Sequence, residues 1–349
     1  MDVLSDTLRV VRLSGAVFLN AILPAPWSVQ MAPPRELAQY LRLPSDCIAL
    51  FHIAVRGHSW FVVPGHPPVA LEAGDAILLP HSTPHVMFSD LNMLTMPPVP
   101  MRALLPPLPP NEIVMIAGTG VGETSEFVCG FLHCDQRFNP LIGALPDMIV
   151  IHPCENEQRE EQREEQRATL SAGNALAPST VLSVQPGDWL ETTMRHTVAE
   201  SLGGGPGNSD MLVRLTEILF VEVVRRYMQR LPTAHPGWLA GVRDPIVGQA
   251  LRLLHSRPDE PWTVEELARA VAVSRSTLAE RFTTLIGETP MRYLAAWRMQ
   301  LAKHLLKQTT LNLAEVAGRV GYDSDVAFNR AFKRHVGQSP AAWRIAVEG

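Results

Sequence analysis

The chain has 349 residues, four cysteines, 46% hydrophobic residues and a formal net charge of −5. Such a length and apolar content predict two or three domains with substantial cores. The absence of any apolar run of about 18 residues argues against a membrane-spanning helix. Residues 1–20 hold acidic Asp2 and Asp6 and no basic leading segment, so no secretory signal is expected and a cytoplasmic location is. Cys47, Cys129, Cys134 and Cys154 show no C-x-x-C spacing, which predicts reduced thiols; a redox switch through one of them is the alternative.

The charge is unevenly spread. Residues 240–349 carry a net +4 and the remainder −9. An acidic front and a basic, arginine-rich back predict two different jobs.

In chain order, residues 47–55, 60–63, 69–72 and 76–79 are short apolar runs separated by turns at Pro64-Gly65 and Gly74-Asp75, and they predict strands. Residues 96–110 are proline-rich and predict an extended connection. Residues 112–117 and 126–133 predict further strands, and many short strands with Gly/Pro turns favour a sandwich or small barrel. Residues 155–167 repeat Gln-Arg-Glu-Glu and predict a solvated insertion. Residues 188–201 predict a helix, and residues 210–230 another, with Leu212, Leu215, Leu219 and Val223 on one face. The expected division is a sensing domain over 1–200, a helical connector or dimerisation segment over 208–231, a linker over 232–243 and an all-helical domain over 244–349.

That last domain contains one unit twice. Ser274, Leu278, Phe282, Gly287 and Pro290 have the same spacing as Ser324, Phe328, Phe332, Gly337 and Pro340. Upstream, Glu266, Ala268 and Val271 match Glu315, Ala317 and Val320 at a spacing shorter by one, so the second copy has an extra residue beside Gly321. Thr263 with Glu266, and Asn312 with Glu315, predict capped first helices. Each copy predicts a helix-turn-helix, whose second helix enters a major groove. In the first copy Leu278, Phe282 and Leu285 would face the core, leaving Arg275, Ser276, Ala279 and Glu280 for DNA. In the second Phe328, Ala331 and Phe332 would be core, leaving Asp325, Val326, Asn329 and Arg330 for bases and Lys333 and Arg334 for phosphates. Leu294, Trp297, Leu301 and Leu305 predict a stiff helix joining the copies.

The stretches WTVEELARAVAVSRSTLAERFTTLIGETPMRYLAAWRMQLAKHLL and LAEVAGRVGYDSDVAFNRAFKRHVGQSPAAWR resemble the DNA-binding domain of the AraC/XylS family. The front, through FHIAVRGHSWFVV, ALEAGDAILLPHSTPHVM, VCGFLHCD and NPLIGALPDMIVI, resembles the cupin-type sensor of one branch of that family. The resemblance implies an α+β protein of two domains: an N-terminal cupin-like β-barrel with helices, and a C-terminal all-α double helix-turn-helix. It implies a transcription regulator, without catalytic residues or a required cofactor, that binds double-stranded promoter DNA as a homodimer under control of a small-molecule effector. An activator of this kind would also meet RNA polymerase.

The cupin signature is incomplete. Gly74 to His85 fits its second half, but His52 and His58 are six apart and no glutamate stands in the expected place. His85, with His52 and Trp60, is the expected effector pocket. His52, His58, His81 and His85 are the candidates for a divalent metal. Two other readings follow from the same residues: a metal-dependent cupin enzyme, which needs a full ligand set, and a constitutive DNA-binding protein with an inert front domain.

Overall fold

A computed structural model of the chain describes residues 3–10, 13–40, 48–104, 114–134, 140–153, 180–203, 207–231 and 237–348. The charged repeat at 155–167, Cys47 and Cys154 lie outside the described residues. Among those described, no helix is long and apolar enough to cross a membrane.

Chain contacts divide the protein into two units. One is sheet-rich and comprises residues 13–137 and 145–229; the other is helical and comprises residues 1–12, 138–144 and 230–349.

The sheet-rich unit has twelve described strands: β1 Leu13–Pro24, β2 Ser28–Gln30, β3 Ile48–Arg56, β4 His58–Val62, β5 Val69–Glu72, β6 Ala76–Leu79, β7 Val86–Phe88, β8 Val99–Pro100, β9 Val114–Ala117, β10 Thr124–Cys134, β11 Ile149–Pro153 and β12 Thr180–Val184. They form a seven-stranded sheet in the order β12-β11-β6-β3-β10-β1-β9 and a five-stranded sheet in the order β5-β4-β7-β2-β8. Leu50, Ala54, Ile77, Cys129 and Phe131 from the first share one core with Val29, Phe61, Leu71 and Met87 from the second. The expected barrel is thus two sheets over a common core, with no ladder joining them among the described residues.

Strand β3 is apolar along most of its length because both its faces are covered. Leu50 and Ala54 turn into the shared core. Phe51 and Ile53 turn the other way. There they line an apolar cavity of about 30 Å³ with Met194 of the helix Trp189–Gly203 and with Leu219, Phe220 and Val223 of the helix Asn208–Arg230. The long helix read as a connector therefore spends its buried stripe on the sheet of its own unit.

The helical unit holds the helices Trp238–Arg243, Val247–Ser256, Val264–Ala270, Arg275–Ile286, Pro290–Gln308, Leu313–Arg319, Asp325–Val336 and Pro340–Glu348. Trp238–Arg243 falls where a linker was expected; Trp238 and Leu239 are buried and hold it down. Two segments read as part of the sensor also belong to this unit. The helix Val3–Val10 contacts Val247–Ser256 and Pro290–Gln308, and the turn of helix at Pro140–Gly143 contacts Trp238–Arg243. These are long-range contacts, which local pattern does not encode.

Candidate nucleic-acid interface and sensor core

The repeated residues are the ones that start, fill and stop helices. Thr263 accepts a hydrogen bond from the Glu266 amide while the Glu266 carboxylate accepts from the Thr263 amide; Asn312 and Glu315 do the same. Ser274 and Ser324 cap the second helices, accepting from the amides of Thr277 and Ala327. Gly287 and Gly337 end those helices in left-handed backbone at φ 84° and 90°. Pro290 and Pro340 open the helices that follow. Leu278, Phe282, Phe328 and Phe332 are fully buried.

With those faces committed, the N-terminal residues on the other side of each second helix turn outward. On Arg275–Ile286, Arg275, Ser276 and Glu280 are exposed and Ala279 is half-buried. On Asp325–Val336, Asp325, Val326, Arg330 and Lys333 are exposed and Asn329 is half-buried. Val326 is 61% exposed. Asn329 donates one amide N–H to the Asp325 carbonyl at 2.8 Å, which leaves its second N–H and its Oδ1 for a base.

The two outward faces differ in charge. Arg275 pairs with Glu265 at 2.7 Å, and Arg281 forks onto the Asp244 carboxylate at 2.6 and 2.9 Å. Asp244 also accepts from the amides of Ile246 and Val247. Burial alone would raise its pKa, but these donors hold the carboxyl below its ordinary value. On the second helix, Arg330, Lys333 and Arg334 have no carboxylate partner among the described residues. The second face therefore offers bare cations and the first offers compensated ones.

In the sheet-rich unit, His52 and His85 are brought together and are 0% and 2% exposed. His52 stands directly across from Cys129 in the β3/β10 register. Its Nδ1 meets Cys129 Sγ, and its Nε2 lies 3.1 Å from His85 Nε2. His85 Nδ1 lies 2.9 Å from the Thr83 carbonyl. A carbonyl only accepts, so His85 Nδ1 carries a proton and its Nε2 accepts. His52 Nε2 then donates, its Nδ1 accepts, and Cys129 donates as a neutral thiol. One fixed carbonyl sets every proton in the chain Cys129–His52–His85–Thr83.

Burial keeps both rings neutral. It draws the His52 pKa well below the ordinary range, assisted by His85, and lowers that of His85 to about 4 against the opposing Thr83 bond. Burial likewise pushes the Cys129 thiol up. Phe61 stacks on His85 and tilts against His52 at centroid distances of 5.6 and 5.3 Å.

The remaining predicted pocket and metal residues lie apart from this pair. Trp60 neighbours Phe61 in β4, so alternation turns it to the opposite sheet face, where it meets His58 at 5.4 Å. His81 Nε2 bonds the Leu145 carbonyl at 3.0 Å. Among the described residues no three His, Cys, Asp or Glu side chains gather as a ligand set. His52 and His85 are thus two imidazoles with no third ligand-type side chain completing a set among the described residues.

A cupin family profile matches residues 2–172 and 163–229, and a helix-turn-helix domain profile matches residues 267–346. The chain is 28% identical to the HTH-type transcriptional regulator AlkR of Acinetobacter baylyi over 345 residues, covering 99% of each chain. It is 24% identical to the HTH-type transcriptional regulator MtrA of Neisseria gonorrhoeae, over 99% of this chain and 98% of that one. The chain belongs to the AraC/XylS family.

As an AraC-family protein it is a DNA-binding transcription regulator with a cupin domain in front. Its DNA-binding part is also similar to an AraC-like transcription regulator of Streptomyces antibioticus, 45% identical over 130 residues, which are 37% of this chain and 43% of that one. The family's paired helix-turn-helix units correspond to the two capped units described above. Sequence reasoning named their outward residues but missed Phe61, Cys129 and Thr83 as partners of the histidine pair, and the Arg281–Asp244 fork.

Proposed function

We propose that the two second helices read two neighbouring major-groove segments of one promoter site. Arg275, Ser276, Ala279 and Glu280 face the first segment. Asp325, Val326, Asn329 and Arg330 face the second, and Lys333 contacts phosphate. The observation that carries this reading is the shared orientation: in each unit the buried residues turn the N-terminal outward residues of the second helix to solvent, the end that meets base edges. Selection of bound duplexes from random DNA with the purified full chain tests it. A single recovered site with two protected segments about 34 Å apart, one helical turn, is expected. Recovery of no preferred sequence would end the reading.

The cupin domain supplies the signal input. The His52–His85 pair is a buried polar pair packed on Phe61 of the shared core, and a small molecule that exchanges hydrogen bonds with it would change the packing of that core. No metal and no catalytic step is needed for this. An effector should raise the thermal midpoint of the full chain, and His85→Ala should abolish that response. A response unchanged by His85→Ala would move the effector elsewhere.

A second copy of the chain is the proposed partner. Met211, Leu215 and Ile218 recur on one side of the helix Asn208–Arg230, and Met211 and Ile218 are 52% and 40% exposed. Ile218→Glu should shift a dimer to monomer in sedimentation; an unchanged mass would remove this face from assembly. A regulator of this kind works in the cytoplasm, where promoter DNA lies, and meets RNA polymerase if it activates.

A further inference from the structure

Ala272 and Gly321 occupy the same place in the two turns, and both have left-handed backbone, at φ 58° and 76°. The first copy tolerates a Cβ there. The second does not: a Cβ on Gly321 would stand 2.6 Å from Arg298 Nη2, 2.8 Å from Arg298 Cζ and 2.9 Å from Asp259 Cα. Those atoms belong to the helix joining the two copies and to the loop that precedes the first copy.

Arg298 is fixed at both ends of this contact. Its Nε donates to the Pro258 carbonyl at 2.7 Å and its Nη2 to the Glu260 carbonyl at 2.8 Å. Its guanidinium lies 5.7 Å from the centroid of the Tyr322 ring. Burial disfavours its charge, while Tyr322, Asp259 and Asp323 favour it. Asp259 stands in the loop of the first copy. Tyr322 and Asp323 stand in the lengthened turn of the second. A planar fork that satisfies two carbonyls and one ring face admits one orientation, which an ammonium does not impose.

We propose that Arg298 is a positioning residue that locks the two helix-turn-helix units at one spacing and one phase along the DNA. The proposal rests on the reading that both units engage one duplex. The extra residue of the second turn and the missing side chain at Gly321 make room for the lock. The joining helix alone sets distance between the copies; Arg298 sets the angle at which the second copy presents its helix.

The test is a titration of the full chain against a duplex selected by the wild-type protein, the same duplex with one base pair inserted between its two segments, and a duplex holding one segment only. One inserted base pair moves the second segment about 3.4 Å along the axis and about 35° around it. The wild type should disfavour the insertion by at least about tenfold, the loss expected for one mismatched base pair. Arg298→Ala and Arg298→Lys should bring that ratio to within about threefold of unity while leaving single-segment affinity unchanged. If Arg298→Ala proves unfolded by circular dichroism, Tyr322→Leu and Gly321→Ala carry the same measurement. A spacing preference that survives in the folded variants, or a uniform loss on all three duplexes, would overturn the lock alone. A wild type without spacing preference would overturn both the lock and the two-segment reading.

Discussion

Trp238 and Tyr293, 55 residues apart in the chain, are joined by a buried hydrogen bond of 3.0 Å from the indole nitrogen to the phenol oxygen. The same oxygen meets His255 Nε2 at 2.8 Å, and the His255 ring stacks on Trp297 at 3.8 Å. The Gly237 amide also donates to the Leu285 carbonyl at 2.9 Å. The helical DNA-binding unit therefore begins before the first helix-turn-helix. A fragment of residues 237–349 should fold and bind the selected duplex. One beginning at Gly241 should lose about 3–5 kcal/mol or fail to fold, because it lacks the buried Trp238. Urea unfolding of the two fragments decides this, and equal midpoints would show that Trp238 is dispensable.

The bare cations of the second helix should divide between reading and holding. Arg330→Ala should cost roughly 1–3 kcal/mol on the preferred site and relax one or two base pairs. Lys333→Ala should weaken all duplexes alike and lower the salt slope by about one unit. Glu280→Ala should relax base pairs about one helical turn from those of Arg330. Titrations against singly substituted duplexes at two salt concentrations read all three effects. Overlap of the Glu280 and Arg330 positions would exclude separate groove segments.

Acid should weaken both units. His52 and His85 in the sheet-rich unit, and His255 in the helical one, whose pKa burial lowers to about 3, stay neutral when folded. Above pH about 6.5 both folded and unfolded histidines are neutral, so these groups contribute no pH dependence. Below it the unfolded chain takes up protons that the folded chain refuses. Stability should then fall by up to about 1.4 kcal/mol per pH unit for each such histidine, and for His85 the fall ends near pH 4, where the folded ring also protonates. For the 237–349 fragment, His255→Phe should flatten the part of the slope between pH 6.5 and 4.5 that belongs to this ring. An unaltered slope would show that His255 already protonates in the fold.

Cys129 should behave as a core residue and a hydrogen-bond donor. Cys129→Ser keeps a donor for His52 Nδ1; Cys129→Ala removes it and should cost about 1–3 kcal/mol for the orphaned acceptor. The native thiol should resist iodoacetamide at pH 8 and react on unfolding, because burial suppresses the thiolate. Mass spectrometry of the Cys129 peptide measures this, and rapid native labelling would mean that the core opens.

The neighbouring Gly130 has no room to grow. A Cβ there would lie 2.2 Å from the Phe51 ring, which in turn meets Phe18 edge-on at 6.4 Å. Gly130→Ala should destabilise by about 1–3 kcal/mol through overpacking, read as a lowered thermal midpoint; an unchanged midpoint would mean that the ring can step aside.

Much of the helical unit was legible because its signals are local. Capping boxes, Ser N-caps, Gly stops and Pro starts act within a few residues, and the apolar spacing marked Leu278, Phe282, Phe328 and Phe332 as core. The sensor core was only half legible. His52 and His85 could be paired by their place in the cupin signature, but the aromatic beside them is Phe61 and not Trp60. A strand alternates strictly, so an error of one residue moves a side chain to the far face, and only the pairing of β4 with β5 and β7 decides the parity. Arg298 carried no mark of its own, because nothing in the spacing of the joining helix separates it from a solvated cation. Its one trace was the extra residue beside Gly321, whose meaning depends on a loop sixty residues upstream.

The residues that make the two copies alike, Ser274 and Ser324, Gly287 and Gly337, Pro290 and Pro340, all serve to begin or end helices. None of them is among the side chains proposed to face bases. Kinship and target choice are thus written in separate alphabets on the same helices. A protein can keep every mark by which its ancestry is recognised and govern unrelated genes, through changes at Ser276, Glu280, Val326 and Arg330 that leave its folding untouched.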